Sequence, residues 1–205
     1  MAASVALLAL APQAQAQAIE SAQPDKQQVG LHFGGYDREA AAALGLAIKK
    51  NSFGLQYSVK QGATTEEDTD AQEKAAARQG KTVDNKSIDK VYNNYYDPSC
   101  GNAWLRVTPL GNASLKLETG FELNSGEEAW AYRWRVNLFD NGGASYKDWP
   151  QSGLNDQNEW QGNRTVTGLT RGPAWAQIAS PWSYAVLGDA STCNAYPVTV
   201  SYTVL

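Results

Sequence analysis

This chain of 205 residues contains only two cysteines, one histidine and one methionine. A serine or cysteine hydrolase needs a histidine beside its nucleophile, yet His32 stands alone and no Gly-x-Ser-x-Gly motif occurs. A zinc site needs several histidine or cysteine ligands, which this composition does not supply. We therefore predict a non-enzymatic protein with no catalytic residue, no metal and no cofactor. A hydrolase of unfamiliar type is the weaker alternative.

Basic charge and long apolar runs are also scarce. The chain has 17 Lys and Arg against 21 Asp and Glu, a formal net charge of -4 and a pI near 5.0. Such a balance does not create the positive field that attracts nucleic acid or an anionic membrane. No later apolar run approaches the roughly 20 residues of a membrane helix. We expect neither a nucleic-acid partner nor a membrane anchor.

Residues 1–18 have the pattern of a secretory signal peptide. An apolar core from Val5 to Leu10 is followed by small residues that suit cleavage after Ala16 or Ala18. No Lys or Arg precedes the apolar core, so we expect the signal peptide to be truncated and the natural start to lie upstream. A disordered, alanine-rich start is the alternative. The pattern predicts a secreted, extracellular protein.

The two cysteines, Cys100 and Cys193, are expected to form a disulfide. Oxidising compartments preserve disulfides, and a single pair leaves no odd thiol. Closing a loop of this length stabilises a fold by roughly 4 to 5 kcal/mol in the chain-entropy model. Because each cysteine shortly precedes an apolar strand pattern, we expect the bridge to join the starting ends of the first and last strands.

Residues 100–205 carry most of the strand-forming sequence. Large apolar side chains alternate with polar ones along residues 114–123, 130–138 and 196–204. This alternation is typical of half-buried strands, and in the middle run it places Trp130 and Trp134 on the core face. Shorter candidates lie at residues 103–108, 164–169, 174–179 and 182–187. The pattern predicts an antiparallel β-sandwich, immunoglobulin-like or jelly-roll-like, with a small barrel as the runner-up.

A strand–helix–strand extension is predicted for residues 19–60. Apolar residues alternate from 29 to 33, and Asp37 is a suitable N-cap for a helix that reaches Ile48. A second alternating run follows at residues 53–59. The extension has too few apolar residues to bury a core of its own, so it must dock on something.

Residues 61–99 are predicted to be a polar, charged linker. Acidic and basic residues are nearly balanced there, and large apolar side chains are almost absent up to residue 90. Such a segment is either helical around residues 66–78 or disordered. Composition changes near Asp97, where the strand-rich sequence begins, and we place the domain boundary there.

These features suggest an adaptor or subunit of an extracellular assembly that engages another secreted protein. The extension would add a strand or a helix to that partner. Packing of the extension on the edge of its own sandwich is the alternative. The apolar residues expected to make the partner contact are Val29, Leu31, Phe33, Phe53, Leu55, Tyr57 and Val59.

Aromatic residues are the exceptional feature of the composition, with seven Trp and ten Tyr. These side chains stack on sugar rings and anchor protein interfaces. A long polar stretch at residues 140–163 is predicted to be a loop, and its aromatic residues either bind an extracellular glycan or cap the core. A carbohydrate-binding module is thus the alternative function, and a pore-former that inserts residues 53–59 is a remoter one. The candidate ligand-binding residues are Trp104, Tyr146, Trp149 and Trp160.

Overall fold

The computed structural model describes residues 26–80 and 100–205, so the predictions for the signal peptide and for residues 81–99 lie outside it. Side chains at 150–153, 155 and 156 are also outside it. None of the described helices has the length and hydropathy to cross a membrane. The elements in chain order are β1 (Gln27–Tyr36), α1 (Arg38–Ala43), β2 (Leu46–Lys50), β3 (Gln56–Lys60), α2 (Thr65–Arg78), β4 (Gly101–Gly111), β5 (Ser114–Leu123), β6 (Ala129–Asp140), β7 (Gly143–Gln157), β8 (Glu159–Val166), β9 (Gly172–Ile178), β10 (Tyr184–Leu187), β11 (Ser191–Ala195) and β12 (Thr199–Val204).

Ten of the described strands form one antiparallel sheet. Its order is β12-β9-β6-β10-β11-β1-β4-β5-β8, with β7 paired to β6. The sheet folds over, so that Phe121 of β5 contacts Tyr132 and Trp134 of β6 at ring-centroid distances of 5.9 and 5.5 Å. Nε1 of Trp134 also donates a hydrogen bond to Oγ1 of Thr119 at 2.9 Å. The predicted antiparallel β-sandwich with one disulfide is confirmed.

The alternation of β6 defines the core, with one exception. The even-numbered residues from 132 to 138 are each at most 4% exposed, which confirms the core position of Trp134. Trp130 does not share it, because the strand has a bulge between Ala129 and Ala131 that interrupts the register. The indole of Trp130 is instead half-buried in a separate cluster with residues of α1 and β2, so its predicted place in the sandwich core is wrong.

Strand β1 lies in the middle of the large sheet. Leu31 pairs with Ala195 of β11 on one side and with Gly101 of β4 on the other, and its side chain is fully buried. In the strand order, β11 and β4 are joined only through β1. The predicted boundary near Asp97 therefore does not separate β1 from the sandwich. The extension packs on its own chain, which was one of the two alternatives.

The helix predicted from Asp37 is real but short. The Asp37 carboxylate caps it by accepting hydrogen bonds from the backbone N–H groups of Glu39 and Ala40 at 2.9 and 3.0 Å. The helix ends at Ala43, because Gly45 adopts a φ of 69° that an α-helix cannot contain. The chain then forms β2, which pairs with β3 in a two-stranded sheet. The expected extension of the helix to Ile48 is wrong.

Helix α2 occupies much of the predicted linker. A capping box holds its start: the Thr64 hydroxyl accepts from the Glu67 N–H, and the Glu67 carboxylate accepts from the Thr64 N–H. Small alanines on one face of the helix pack against β3. Of the two alternatives for this region, helix is the correct one, and residues 65–78 form a docked element rather than a linker.

The end of α2 is fastened to the sandwich by Arg78. Its side chain is only 6% exposed, and its guanidinium forms ion pairs with Glu127 and Asp189 and donates to the hydroxyl of Ser191. Burial by itself raises the pKa of Asp189, but the hydrogen bond and the charge of Arg78 hold that pKa below its ordinary value. A buried arginine satisfied by two carboxylates fixes the position of α2.

Cys100 and Cys193 form the predicted disulfide, with Cα atoms 5.8 Å apart. Cys100 immediately precedes β4, and Cys193 lies inside β11. Both strands are neighbours of β1, so the bridge spans β1 and does not join the first and last strands of the sandwich as predicted. The five residues of β11 are small, so no alternation of large side chains marked Cys193 as part of a strand.

Candidate functional site

The outward face of β6 and its neighbours forms the candidate site. Because side chains alternate across a strand, the odd residues from 133 to 139 stand opposite the core residues. In the register, Tyr146 and Asp148 of β7 lie beside them on one side, and Trp175 of β9 lies beside Phe139 on the other. We call this surface the aromatic–arginine face; its members are Arg133, Arg135, Asn137, Phe139, Tyr146, Asp148, Trp175 and Trp182.

Arg135 is the most constrained residue of this face. Its Nε and Nη2 atoms donate to the two carboxylate oxygens of Asp148 at 2.6 and 2.8 Å, a bidentate geometry that fixes the guanidinium plane. The guanidinium carbon lies 4.1 Å from the ring centroid of Tyr146 and 5.2 Å from that of Trp182, within cation–π range. The hydrogen bond from Arg135 holds the pKa of Asp148 below its ordinary value. The arrangement keeps one cation and two rings in place.

The other end of the face is a stacked pair of rings. Phe139 and Trp175 lie 5.1 Å apart between centroids, with an interplanar angle of 15°. From Arg133 to Phe139 the strand advances about 20 Å at the usual rise per residue. The two aromatic groups are therefore displayed along one strand, with Asn137 between them.

These rings are unusually accessible for large side chains. Tyr146 is 56% exposed, Trp175 45% and Trp182 46%. Large aromatic residues usually avoid such exposure, and a group of them on one surface is a feature of interaction sites. Tyr, Trp and Arg are also the residue types that carry most of the binding energy at protein interfaces. The face has the composition of a protein-binding surface.

A separate cleft opens on the other layer of the sandwich, where β5 lies between β4 and β8. Its volume is about 360 Å³. One indole, two carboxylates, one ammonium group and two amides surround it, whereas the Phe121 and Trp160 side chains lie on the opposite face of the sheet, in the core. The lining residues are Lys26, Trp104, Phe121, Glu122, Gln157, Glu159, Trp160 and Gln161.

The four residues predicted to bind a glycan are divided between these surfaces. Tyr146 belongs to the aromatic–arginine face, whereas Trp149 is only 9% exposed and meets the half-buried Trp160 edge to face at 6.1 Å. The loop predicted at residues 140–163 is mostly the strands β7 and β8. These strands direct both indoles onto the aromatic core. Trp104 borders the cleft with its indole, whereas Trp160 is part of the lining although its indole packs on Phe121 in the core.

The predicted partner contacts are mostly used inside the chain. Val29 and Phe33 are half-buried on β1, and Phe53 alone is well exposed, at 63%. The reason is that β1 completes the large sheet and β3 is covered by α2. Residues at most 5% exposed are Leu31, Leu55, Tyr57 and Val59. These four side chains are unavailable to a partner, which corrects the expected contact.

His32 lies on β1, where its ring stacks on Tyr196 with centroids 4.2 Å apart. Burial lowers the pKa of this imidazole. Within residues 26–80 and 100–205, no three His, Cys, Asp or Glu side chains are grouped so as to hold a metal ion. The histidine therefore serves as part of a packed strand.

Sequence reasoning missed most of the aromatic–arginine face. The alternation of β6 did place Arg133 and Arg135 on the wet side of the strand, opposite Trp134, so a signal for these two residues was present. Trp175 and Trp182 had no comparable signal, because the runs around them are short and their orientation depends on which strands they pair with.

Comparison with known proteins adds little. No protein-family model matches the chain, and no curated protein matches it. Among solved structures it is similar to a cohesin module from a family 33 glycoside hydrolase of Clostridium perfringens, with 11% sequence identity and a TM-score of 0.37. That match covers 51% of this chain and 96% of the other.

Proposed function

We propose that this chain is a secreted, non-enzymatic interaction protein that binds another protein through the aromatic–arginine face. The observation that carries the proposal is the exposure of Tyr146, Trp175 and Trp182 on one surface beside two arginines. Strand pairing and the Arg135–Asp148 bond hold the surface rigid, so little side-chain entropy is lost on binding. The disulfide supports secretion, since such bonds persist in oxidising compartments.

The charges of the face indicate the chemistry of the partner. Arg133 has no carboxylate within salt-bridge distance among the described side chains, and its guanidinium lies 4.8 Å from the ring centroid of Trp182. Arg135 already has Asp148 as its counter-ion. The face therefore suits a partner that presents a carboxylate beside an apolar side chain, so that the acid meets Arg133 and the apolar group covers the rings.

The proposed contact replaces the one expected from the N-terminal extension. Of the seven residues expected there, Phe53 is the one that remains well exposed. A single exposed ring is common on protein surfaces, whereas the aromatic–arginine face combines several rings with a cation. Phe53 is therefore a matched control for the proposal.

The test is co-purification from the extracellular medium of the producing organism. The tagged full chain, a Tyr146→Ala plus Trp175→Ala variant, and a Phe53→Ala variant are compared by quantitative mass spectrometry. We expect the double variant to lose a stoichiometric partner by about 30-fold or more, the effect of removing hot-spot residues, while Phe53→Ala retains it. Retention by the double variant, or an empty pull-down with the native chain, contradicts the proposal.

Carbohydrate binding is the second candidate function, and the cleft beside the Trp104 indole favours it. The Trp104 indole offers a stacking surface for a sugar ring, while the carboxylates and amides of the lining provide hydrogen-bond partners for hydroxyl groups. Quenching of tryptophan fluorescence by polysaccharides, abolished by Trp104→Ala, supports this candidate. Equal quenching in that variant rejects it.

A further inference from the structure

The cleft on the β4–β5–β8 layer contains two carboxylates in direct opposition. Glu122 of β5 and Glu159 of β8 are register partners, and both side chains are exposed on the same face of the sheet. Residues directly opposite in an antiparallel pair have Cβ atoms about 5 Å apart, and like charges there repel each other. No Lys, Arg or His lies within salt-bridge distance of either carboxylate among the described residues. A cation bound between them relieves this repulsion.

An aromatic ring lies in the neighbouring row of the same face. Trp104 pairs with Gly120, and Gly120 pairs with Gln161. The Trp104 indole lies against Gly120, since a Cβ atom at that position is 3.1 Å from indole Cε2 and 2.2 Å from the carbonyl oxygen of Trp160. Only glycine fits there. One side of the indole thus rests on the sheet.

The ammonium group of Lys26 lies over the indole ring of Trp104. Nζ of Lys26 lies 4.5 Å from its ring centroid, within the range of a cation–π interaction. Lys26 is exposed and lies at the edge of the cleft, so a competing cation can displace its side chain. An ammonium group therefore suits a position in this cleft. There it would contact the Trp104 ring, in place of Lys26, and the opposed carboxylates of Glu122 and Glu159.

We propose that this cleft binds a saccharide that carries a protonated amine, with the ammonium held between Trp104 and the carboxylates of Glu122 and Glu159. This inference rests on the second candidate function and adds to it the class of sugar. The sugar ring stacks on the Trp104 indole, and Gln157 and Gln161 bind hydroxyl groups. A neutral sugar makes the stacking contact but leaves the two carboxylates unpaired.

The experiment is calorimetric titration of the full chain at pH 5 with three soluble hexasaccharides: glucosamine, N-acetylglucosamine and glucose. At this pH the amine of the glucosamine oligomer is protonated. We expect the glucosamine oligomer to bind about tenfold more tightly than either neutral oligomer, as expected for an ammonium that gains a ring and two carboxylates.

Variants separate the contributions. In a Glu122→Gln plus Glu159→Gln variant, the ratio of the affinity for the glucosamine oligomer to that for a neutral oligomer is expected to fall from about ten towards one. Trp104→Ala is expected to abolish binding of all three sugars. Lys26→Ala removes the internal competitor, so it is expected to tighten glucosamine binding by about two- to fivefold. Trp182→Ala, which removes an indole on the opposite layer, is the matched control and leaves all three affinities unchanged.

The two levels of the proposal fail in different ways. If the native chain binds all three oligomers with equal affinity and Trp104→Ala loses this binding, the preference for the amine is overturned but carbohydrate binding at the cleft is retained. Absence of binding to any oligomer, with unfolding of the native chain and the Trp182→Ala variant both normal, overturns both. Binding that survives Trp104→Ala places the sugar elsewhere and also overturns the proposed site.

Discussion

The two sides of strand β6 are built from similar residue types with opposite consequences. On the inner side, Trp134 is fully buried, packs on Phe121 and donates its indole N–H to Thr119. On the outer side, Trp175 and Tyr146 flank the same strand but stay about half exposed. Inner aromatic residues stabilise the fold through burial, whereas outer ones contribute little to stability and remain available to a ligand. The same comparison separates Arg78, which is buried beneath α2, from Arg135, which lies partly exposed on the outer face.

The largest expected effect is on the inner side. Trp134→Ala removes a fully buried indole, and we expect the free energy of unfolding to fall by about 3 to 5 kcal/mol, because a cavity forms as well. Trp175→Ala is the matched outer change and is expected to alter stability by no more than about 0.5 kcal/mol. Urea unfolding followed by circular dichroism measures both. Equal losses in the two variants contradict the distinction between the sides.

The second prediction contrasts the two arginines. Arg78→Met leaves Glu127 and Asp189 without their cation in a largely buried site, and we expect a loss of about 3 kcal/mol of unfolding free energy. Arg135→Met is expected to lower the urea midpoint much less, because Arg135 has one carboxylate partner and that pair stays in contact with solvent, at 19% and 28% side-chain exposure. Hydrogen exchange provides an independent readout: α2 exchanges faster in Arg78→Met and at its native rate in Arg135→Met. Unchanged exchange in α2 rules out docking through Arg78.

These contrasts also show which parts of the fold were readable from the sequence. The alternation along residues 114–123 and 196–204 identified β5 and β12, because each has one wet and one buried face. Asp37 was recognised as a helix cap since its side-chain chemistry is local. The disulfide was predicted from a single pair of cysteines behind an apparent signal-peptide pattern. Each of these signals depends on residues that are close in the sequence or, for the disulfide, on the number of cysteines.

The features that were missed depend on distant pairing. The position of β1 between β11 and β4 involves segments more than 60 residues apart, and nothing within β1 identifies its partners. Strand β7 is rich in glycine and polar residues, so it resembled a loop. The outward direction of Trp175 follows from its register with Phe139, which no local pattern contains. The candidate site was therefore less predictable than the core.

A third, smaller effect tests the hydrogen bond beneath Trp134. Thr119→Val keeps the shape of the side chain but removes the oxygen that accepts from the indole N–H, and we expect a loss of about 1 to 2 kcal/mol from the buried donor left unsatisfied. Thr119→Ser keeps the hydroxyl and serves as the control. The indole N–H resonance of Trp134 is expected to shift in the valine variant and to stay near its native position in the serine variant. If serine and valine destabilise equally with no difference in this resonance, the bond is unimportant.

The smallest effect concerns pH on the outer side. The pKa of Asp148 is lowered in the folded protein by its hydrogen bonds to Arg135, so this pair stabilises the fold above the unfolded Asp value of about 3.9. The contribution is lost as pH falls through the lower folded pKa. NMR of the Arg135 Nε–H group is expected to show the bond intact at pH 5 and released only well below pH 4. Release near neutral pH, or a native-like signal in Asp148→Asn, contradicts this assignment.

The central claim is that the outer side of β6 contacts a partner protein. Oxidative footprinting of the native complex isolated from the extracellular medium, compared with the chain alone, tests it most directly. The account predicts protection of Tyr146, Trp175 and Trp182, with unchanged oxidation of Phe53. Protection of Phe53 with unchanged oxidation of the three outer residues contradicts it and returns the contact to the N-terminal segment.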